Sequence, residues 1–336
     1  MWHTLNISEP QTNNKQIKMK AIQIQNYGDS STLQIVETAK PSIENNQVLI
    51  KIKASSINPV DIKIRMGYLA AMLPKTFPMV LGWEASGIIE AVGDQVQDLK
   101  IGDEVYTMPN FMQGGTHAEY VAVNGNEVAL KPTTISFEKA STVPMVAGAA
   151  YTSLVKVAQV LSGQKILIHG AAGAVGTYAV QMAKEKGLYV IGTASGAGIE
   201  LLKKLGADEV IDYTTTDFST VVKDIDVVLD LVGGETLEKS YNIVKKGGIL
   251  VSTVMPPSAD KVTELGIRVA MTNTMPDVAM LNEIATLIDA GKLQVQEPIL
   301  STLDNAQADQ QTIENRTAKG KIVFQIINNL KIVGIN

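Results

Sequence analysis

An α/β chain in two parts, a β-rich domain followed by a doubly wound parallel sheet, is the fold class this sequence predicts. Three observations predict it. Short β-branched runs bounded by Gly, Pro, Asp and Asn fill the region between Lys20 and Lys131. From Gly163 onward strand-like and helix-like segments alternate, which implies a parallel sheet covered on both faces. The first of those strands runs directly into a Gly/Ala turn and then a helix.

The bulk numbers set the bounds. A chain of 336 residues is long enough for two cores. Hydrophobic residues make up 45% and charged residues 19%, an ordinary globular balance. The net charge of −5, with no dense Lys/Arg run, argues against nucleic acid and anionic membrane as partners. No apolar run is long enough to span a bilayer. The absence of cysteine removes disulfides, iron–sulfur clusters and thiolate zinc sites together, and fits a cytoplasmic protein. The three histidines, His3, His117 and His169, are scattered and suggest no metal site. Residues 1–18, polar at first, read as a loose extension without a signal or transit pattern.

In the first part, strands are predicted at Met19–Ile24, Gln47–Ala54, Gly87–Val92, Glu104–Thr107 and Ala118–Val123. Ser141–Leu161 reads as two helices rich in Ala and Val. Lys165–His169 is a strand and Ala174–Lys186 a helix, with Gly187 as its cap. That helix puts Val175, Ala179, Met182 and Ala183 on one face. There follow a strand at Tyr189–Ala194, a helix at Ile199–Leu205, a short strand at Val210–Tyr213 and a helical piece at Thr220–Lys223. Val227–Val232 is a strand, Glu235–Lys245 a helix ending at Gly247, and Ile249–Val254 a strand. Asp277–Ala290 is a helix capped by Gly291, and Lys321–Ile327 is a last strand that rejoins the first domain. The implied organisation is a β-rich domain over 19–140, a parallel α/β domain over 141–290 and a return to the first over 291–336.

The strongest local signal is Lys165-Ile-Leu-Ile-His-Gly-Ala-Ala-Gly-Ala-Val-Gly176. Ala171, Gly173 and Gly176 hold the three glycine positions of a dinucleotide fingerprint, with Ala at the first. Gly173 admits a pyrophosphate close to the backbone, and Gly176 lets helix and strand approach. Free N–H groups at Ala172, Gly173, Ala174, Val175 and Gly176 and the helix dipole favour the anion. A ligand-free tight turn is the plain alternative. The second strand ends Thr193-Ala-Ser195-Gly with no carboxylate before Glu200. An NAD-type site places an Asp or Glu there, so NADPH is favoured. Thr193 and Ser195 are both placed at the cofactor, and Ser195 is either a phosphate contact or a helix N-cap.

Further motifs follow in order: Ser56-Ile-Asn-Pro-Val-Asp-Ile-Lys-Ile-Arg-Met-Gly67, Pro78-Met-Val-Leu-Gly-Trp-Glu-Ala-Ser-Gly87, Ile101-Gly-Asp-Glu-Val105 and Gly114-Gly-Thr-His-Ala-Glu-Tyr120. Later come Leu205-Gly-Ala-Asp208, Asp230-Leu-Val-Gly-Gly234 and Lys319-Gly-Lys-Ile-Val323. Together these resemble the medium-chain dehydrogenase/reductase superfamily, most closely its zinc-independent quinone oxidoreductase (zeta-crystallin-like) family. The resemblance runs from about Met19 to Ile327. It implies a GroES-like β-rich catalytic domain, a Rossmann domain inserted into it, and a ligand cleft between them. It also implies no metal. Zinc members carry Cys where this chain has Asn58 and His where it has Trp83; Glu84 alone persists. Without a Lewis acid, the expected reaction is NADPH-dependent hydride transfer to a quinone, an enone or an enal. A cofactor-binding sensor or structural protein without turnover is the alternative.

The resemblance puts Asn58 and Asp61 beside the nicotinamide. Asn58 is either a donor to the substrate oxygen or a turn residue before Pro59. Lys63 stands where many relatives carry Tyr, and is a proton donor, a substrate clamp or a solvated lysine. Tyr68 lies one position from another family Tyr. Tyr213 falls near the adenosine phosphate. Val232 and Gly233 could meet the nicotinamide, as could Ser252 at the end of the next strand. Lys319, with Arg316, approaches the NADP end or is solvated. His117 and His169 are expected to be structural, and Trp83 to pack under the cleft. A homodimer is expected through sheet edges at Ile249–Met255 or Val269–Thr274.

Overall fold

The computed structural model describes residues 17–74 and 76–326. Most of the predicted N-terminal extension, residues 1–16, lies outside them, as does Ile327. In chain order the strands are β1 (Lys18–Ile24), β2 (Gln34–Ala39), β3 (Gln47–Ser56), β4 (Met79–Val80), β5 (Ala85–Val92), β6 (Glu104–Thr107), β7 (Tyr120–Asn124) and β8 (Val128–Leu130). The second group is β9 (Lys165–Ile168), β10 (Tyr189–Ala194), β11 (Glu209–Asp212), β12 (Ile225–Asp230), β13 (Val244–Ser252) and β14 (Arg268–Met271). The last two are β15 (Ile299–Ser301) and β16 (Ile322–Gln325). The helices are α1 (Pro59–Arg65), α2 (Phe137–Ala140), α3 (Pro144–Tyr151), α4 (Ala174–Glu185) and α5 (Ala197–Lys204). They continue with α6 (Phe218–Val221), α7 (Glu235–Ser240), α8 (Asp260–Leu265), α9 (Val278–Asp289) and α10 (Ala306–Glu314).

Strands β9 to β14 form a six-stranded parallel sheet in the order β11-β10-β9-β12-β13-β14. The chain leaves β9 in one direction for β10 and β11, then returns to the other side for β12. The crevice between β9 and β12 is therefore the topological switch point. Strand side chains alternate between the two faces, as a period of two requires. Ile166, Ile168, Val227 and Leu229 join one apolar cluster, and Leu167 and Val228 the opposite one. All six are buried, which explains why these strands read as unbroken apolar runs.

The β-rich part has a three-stranded sheet, β2-β1-β4, and a seven-stranded sheet that includes β15-β16-β3-β5-β6-β8, with β7 also on β3. Strand β16, the last among the described residues, lies between β15 and β3 and is interior to this sheet. Tyr106 of β6 donates its hydroxyl to the Leu281 carbonyl at 2.5 Å and shares a cluster with α4 and α9. The two parts thus share packed apolar surface.

Several expectations need correction. The run Ile249–Met255 is no edge, because β13 is paired on both sides; β14, inside the predicted Val269–Thr274 segment, is the edge. The helix predicted over Glu235–Lys245 stops at Ser240 and passes through a short 3₁₀ turn, because Val244 already pairs with Ile225. The two helices expected in Ser141–Leu161 are α3 running directly into a π-helical segment, Thr152–Val157. The first half reads as mostly strands, with no helix placed there, yet it holds α1. Pro59 sits at the first helical position and Asp61 Oδ2 accepts the Asn58 N–H at 2.5 Å, both start signals.

Candidate active site

The glycine turn after β9 follows from three backbone facts. Gly170 has φ +64°, a left-handed conformation that favours glycine. Gly173 caps α4 with extended geometry and no side-chain bond to the helix's first amides; its own N–H goes to the Gly170 carbonyl at 2.9 Å and so is not the free donor expected from the sequence. A Cβ on Gly176 would fall 2.4 Å from the Gly170 oxygen and 2.5 Å from that of Ala171. The N–H groups of Ala174, Val175 and Gly176 lie in the first turn of a 12-residue helix, where no preceding carbonyl can take them. Gly173 and Ala174 are exposed. The turn is therefore open and could cradle an anion. Ala171, by contrast, is wholly buried in the core of the sheet, so the residue free to turn is Gly170, which the fingerprint reading did not single out.

The turn after β12 meets it. A Cβ on Gly170 would approach Val232 Cγ2 at 3.2 Å and Leu231 Cβ at 3.5 Å. Asp230 shapes this second turn. Its Oδ1 accepts the N–H groups of Val232 at 3.0 Å and Gly233 at 2.9 Å, and its Oδ2 accepts the Ser252 hydroxyl at 2.9 Å. Gly233 has φ +79°, and Val232 is 51% exposed. Ser252 is fully buried and also accepts the Val254 N–H at 3.2 Å. It braces the crevice and presents no hydroxyl to it, unlike the direct cofactor contact expected from the sequence.

Thr193 needs the same correction. It is buried beneath the glycine turn, where its hydroxyl accepts the Gly170 N–H at 3.3 Å and lies 3.3 Å from His169 Nδ1. His169 Nε2 is 3.0 Å from the Ser240 hydroxyl. Burial pushes the His169 imidazole down to about 4, against a smaller opposing pull from Asp230. A neutral histidine thus supports the turn from below.

At the far end of the crevice, Ser195 donates to the Tyr213 hydroxyl at 2.8 Å, joining the ends of β10 and β11. Tyr213 is 59% exposed. Ser195 does not cap α5; Gly196 does, with no side-chain bond. Lys203 is paired with Glu200 at 2.7 Å.

Of the three residues singled out as catalytic, Lys63 and Tyr68 are neighbours, the Tyr68 N–H donating to the Lys63 carbonyl at 3.0 Å, whereas Asn58 is buried. Asn58 is 1% exposed; its Nδ2 donates to Glu84 Oε1 at 2.8 Å and its Oδ1 accepts from Lys321 Nζ. Lys63 is exposed on the outer side of α1, and Tyr68 is 69% exposed beyond it. Lys319 is exposed, and Arg316 sits in the same loop with φ +56°. The lysine that reaches the interior is Lys321, two residues further on, paired with the fully buried Glu84. The Lys319-Gly-Lys321 spacing was the one available sequence signal for it. Trp83 and His117 are fully buried; His117 Nδ1 is 2.9 Å from the Ser55 hydroxyl and its Nε2 is 3.7 Å from Asp61 Oδ2.

Residues 44–133 match the family described as alcohol dehydrogenase GroES-like domain, and residues 205–324 match that described as zinc-binding dehydrogenase. The chain is 36% identical to 2-methylene-furan-3-one reductase of Solanum lycopersicum, covering 92% of this chain and 80% of that protein. It is 35% identical to the chloroplastic NADPH-dependent alkenal/one oxidoreductase of Arabidopsis thaliana, over 82% of this chain and 71% of the relative. Among solved structures, the quinone oxidoreductase from Coxiella burnetii superposes with a TM-score of 0.85 at 32% identity, covering 93% of this chain and 100% of that one.

The second family description raises the question of zinc. The donor set here does not fit it. The chain has no cysteine, and among the described residues no group of three or more His, Asp or Glu side chains could hold a metal ion. The carboxylate of Glu84 is already occupied by an ammonium and by neutral donors.

Proposed function

The chain belongs to the medium-chain dehydrogenase/reductase superfamily and is an oxidoreductase, and from that premise we propose that it is an NADPH-dependent, zinc-free reductase of quinones or of the double bond of enones and enals. The observation that carries the reading is the anion cradle at Gly173–Gly176, set at the switch point of the parallel sheet. Bound NADPH supplies the hydride. The amides of Ala174, Val175 and Gly176 hold its pyrophosphate. The paired hydroxyls of Ser195 and Tyr213 receive the 2′-phosphate, since β10 ends without a carboxylate to take a free 2′-OH. The backbone at Val232 and Gly233, held open by Asp230, receives the nicotinamide end.

NADPH, a proton and the acceptor give NADP⁺ and the reduced acceptor. Hydride addition leaves negative charge on the acceptor's oxygen, which hydrogen-bond donors stabilise before a proton quenches it. On the substrate side, Lys63 and Tyr68 are the solvent-accessible proton carriers, and Asn58 moves from substrate contact to buried support. The substrate class rests on two supports: the names of the furanone reductase and alkenal/one oxidoreductase relatives, and a donor set unsuited to zinc. Lys319 stays an outlying candidate for the phosphate end. The lack of cysteine suits a reducing compartment such as the cytoplasm. The free edge of β14 suits a homodimer, which sedimentation at micromolar concentration would test.

The experiment is a turnover panel. Purified protein is mixed with NADPH and, in turn, a quinone, an enone and an enal, and cofactor oxidation is followed by absorbance. Oxidation with at least one acceptor is expected. Tight NADPH binding with no oxidation by any of them would overturn the reading.

A further inference from the structure

Glu84 is fully buried, and four donors from three segments of the chain converge on its carboxylate. Its Oε1 accepts from the Ser56 hydroxyl at the end of β3, from Asn58 Nδ2 at 2.8 Å and from Lys321 Nζ just before β16. Its Oε2 accepts the N–H of Met145 in the first turn of α3 at 2.8 Å. Lys321, whose side chain is 13% exposed, also donates to Asn58 Oδ1.

This arrangement fixes two things. The ammonium cancels the charge that Glu84 brings into the interior, where an unpaired carboxylate is strongly disfavoured. It also sets the Asn58 amide. Were that amide flipped, its NH₂ would face the NH₃⁺, donor against donor, so Oδ1 must face Lys321 and Nδ2 must face Glu84. Through Asn58 the cluster holds the start of α1, and through Met145 it holds the start of α3, which packs against α4 behind the dinucleotide cradle. Lys321 thus ties the substrate-side segments to the helices that back the cofactor.

We propose that Lys321 is the resident cation of this site and a positioning residue for hydride transfer, its ammonium locking Glu84, Asn58 and the α3 N-terminus into one rigid junction. The proposal rests on the reductase reading above. Hydride transfer needs donor and acceptor carbons at a fixed separation, and small misplacements far from the chemistry are costly. The effect should fall on kcat and leave the cofactor cradle intact, because neither Lys321 nor Glu84 belongs to that turn.

The test compares the wild type with Lys321→Ala and with the double variant Lys321→Ala/Glu84→Gln, which leaves no unpaired buried charge and guards against simple unfolding. Each is assayed for kcat with the best acceptor of the panel and for NADPH affinity by fluorescence titration. Assays are run with and without n-propylammonium chloride, whose cation replaces the atoms that Lys321→Ala removes, against equal sodium chloride. We expect kcat to fall on the order of 100-fold in both variants. NADPH affinity should change less than about twofold, and kcat of the single variant should recover with n-propylammonium but not with sodium. A folded double variant with wild-type kcat, or a folded single variant whose kcat n-propylammonium does not move, would overturn the role of Lys321. A wild type that turns over no acceptor would instead overturn the reductase reading, so the two failures are distinct.

Discussion

Position 176 lies so close to position 170 that a Cβ on Gly176 would stand 2.4 Å from the Gly170 carbonyl oxygen. Strand β9 and helix α4 meet there with no room for a side chain. Substituting Gly176→Ala forces the backbone of the turn to move. Overpacking of this kind costs about 1–3 kcal/mol. The variant should lose that much stability in urea titration and should bind NADPH at least tenfold more weakly. An unchanged midpoint would mean that the turn is looser than its contacts suggest.

Ser195 and Tyr213 give a test of cofactor choice. Their hydroxyls are 2.8 Å apart at the ends of adjacent strands. Ser195→Asp introduces a carboxylate where a 2′-phosphate is expected. NADPH affinity should drop at least tenfold, about 1.4 kcal/mol, while NADH affinity holds or improves. Competitive titration of the two cofactors checks this, and parallel losses for both would mean that the phosphate lies elsewhere.

His169 predicts an acid limb in the stability profile. Burial holds its folded imidazole near 4, below the 6.5 of an unperturbed histidine. Between those values the unfolded chain takes up a proton that the folded one does not. Stability is therefore full above about pH 6.5 and declines as pH falls toward 4, by on the order of 3 kcal/mol. His169→Gln removes the titrating group while keeping a polar side chain near Thr193 and Ser240. The fall in Tm between pH 6.5 and 4 should be shallower in that variant than in the wild type, and an identical slope would assign the acid loss to other groups.

Arg65 anchors α1 to the C-terminal segment. Fully buried, it donates to Gln310 Oε1 at 2.8 Å and to the Gly28 carbonyl at 2.7 Å, and it pairs with Glu314 on α10. Arg65→Met keeps the aliphatic bulk but strands these acceptors. A loss of about 3 kcal/mol is expected by chemical denaturation. A loss below about 1 kcal/mol would show that the pair behaves like an exposed one.

What the sequence makes legible follows from the range of the forces involved. The parallel sheet was readable because β9 and β12 are apolar on both faces and each is followed by glycine. Gly173 and Gly176 were readable because their demands are backbone demands, local in sequence. Thr193 and Ser252 were assigned to the cofactor from their place at strand ends. Both turn inward to hold a turn, a choice set by neighbouring strands that no local pattern reports. Helix α1 was passed over since seven residues give too few turns for a helical period to register. The cluster around Glu84 was hidden more deeply. Lys321 stands 237 residues along the chain from Glu84, and only β16 docking on β3 brings the two together. The three residues favoured as catalytic came from family positions, and exposure separates them: Asn58 is inside, Lys63 and Tyr68 outside.

The most direct test of the account is NADPH titration of the Gly173→Asp variant, followed by fluorescence, with circular dichroism to check the fold. A Cβ on Gly173 would stand 3.2 Å from the Gly170 carbonyl oxygen, so the turn must give by a few tenths of an ångström, but the position is exposed at the cap of α4 and the sheet beneath is untouched; the new carboxylate faces the amides meant for the pyrophosphate. The account predicts a native spectrum and a loss of NADPH affinity of at least a hundredfold, about 2.7 kcal/mol. Wild-type affinity in a folded variant would contradict it.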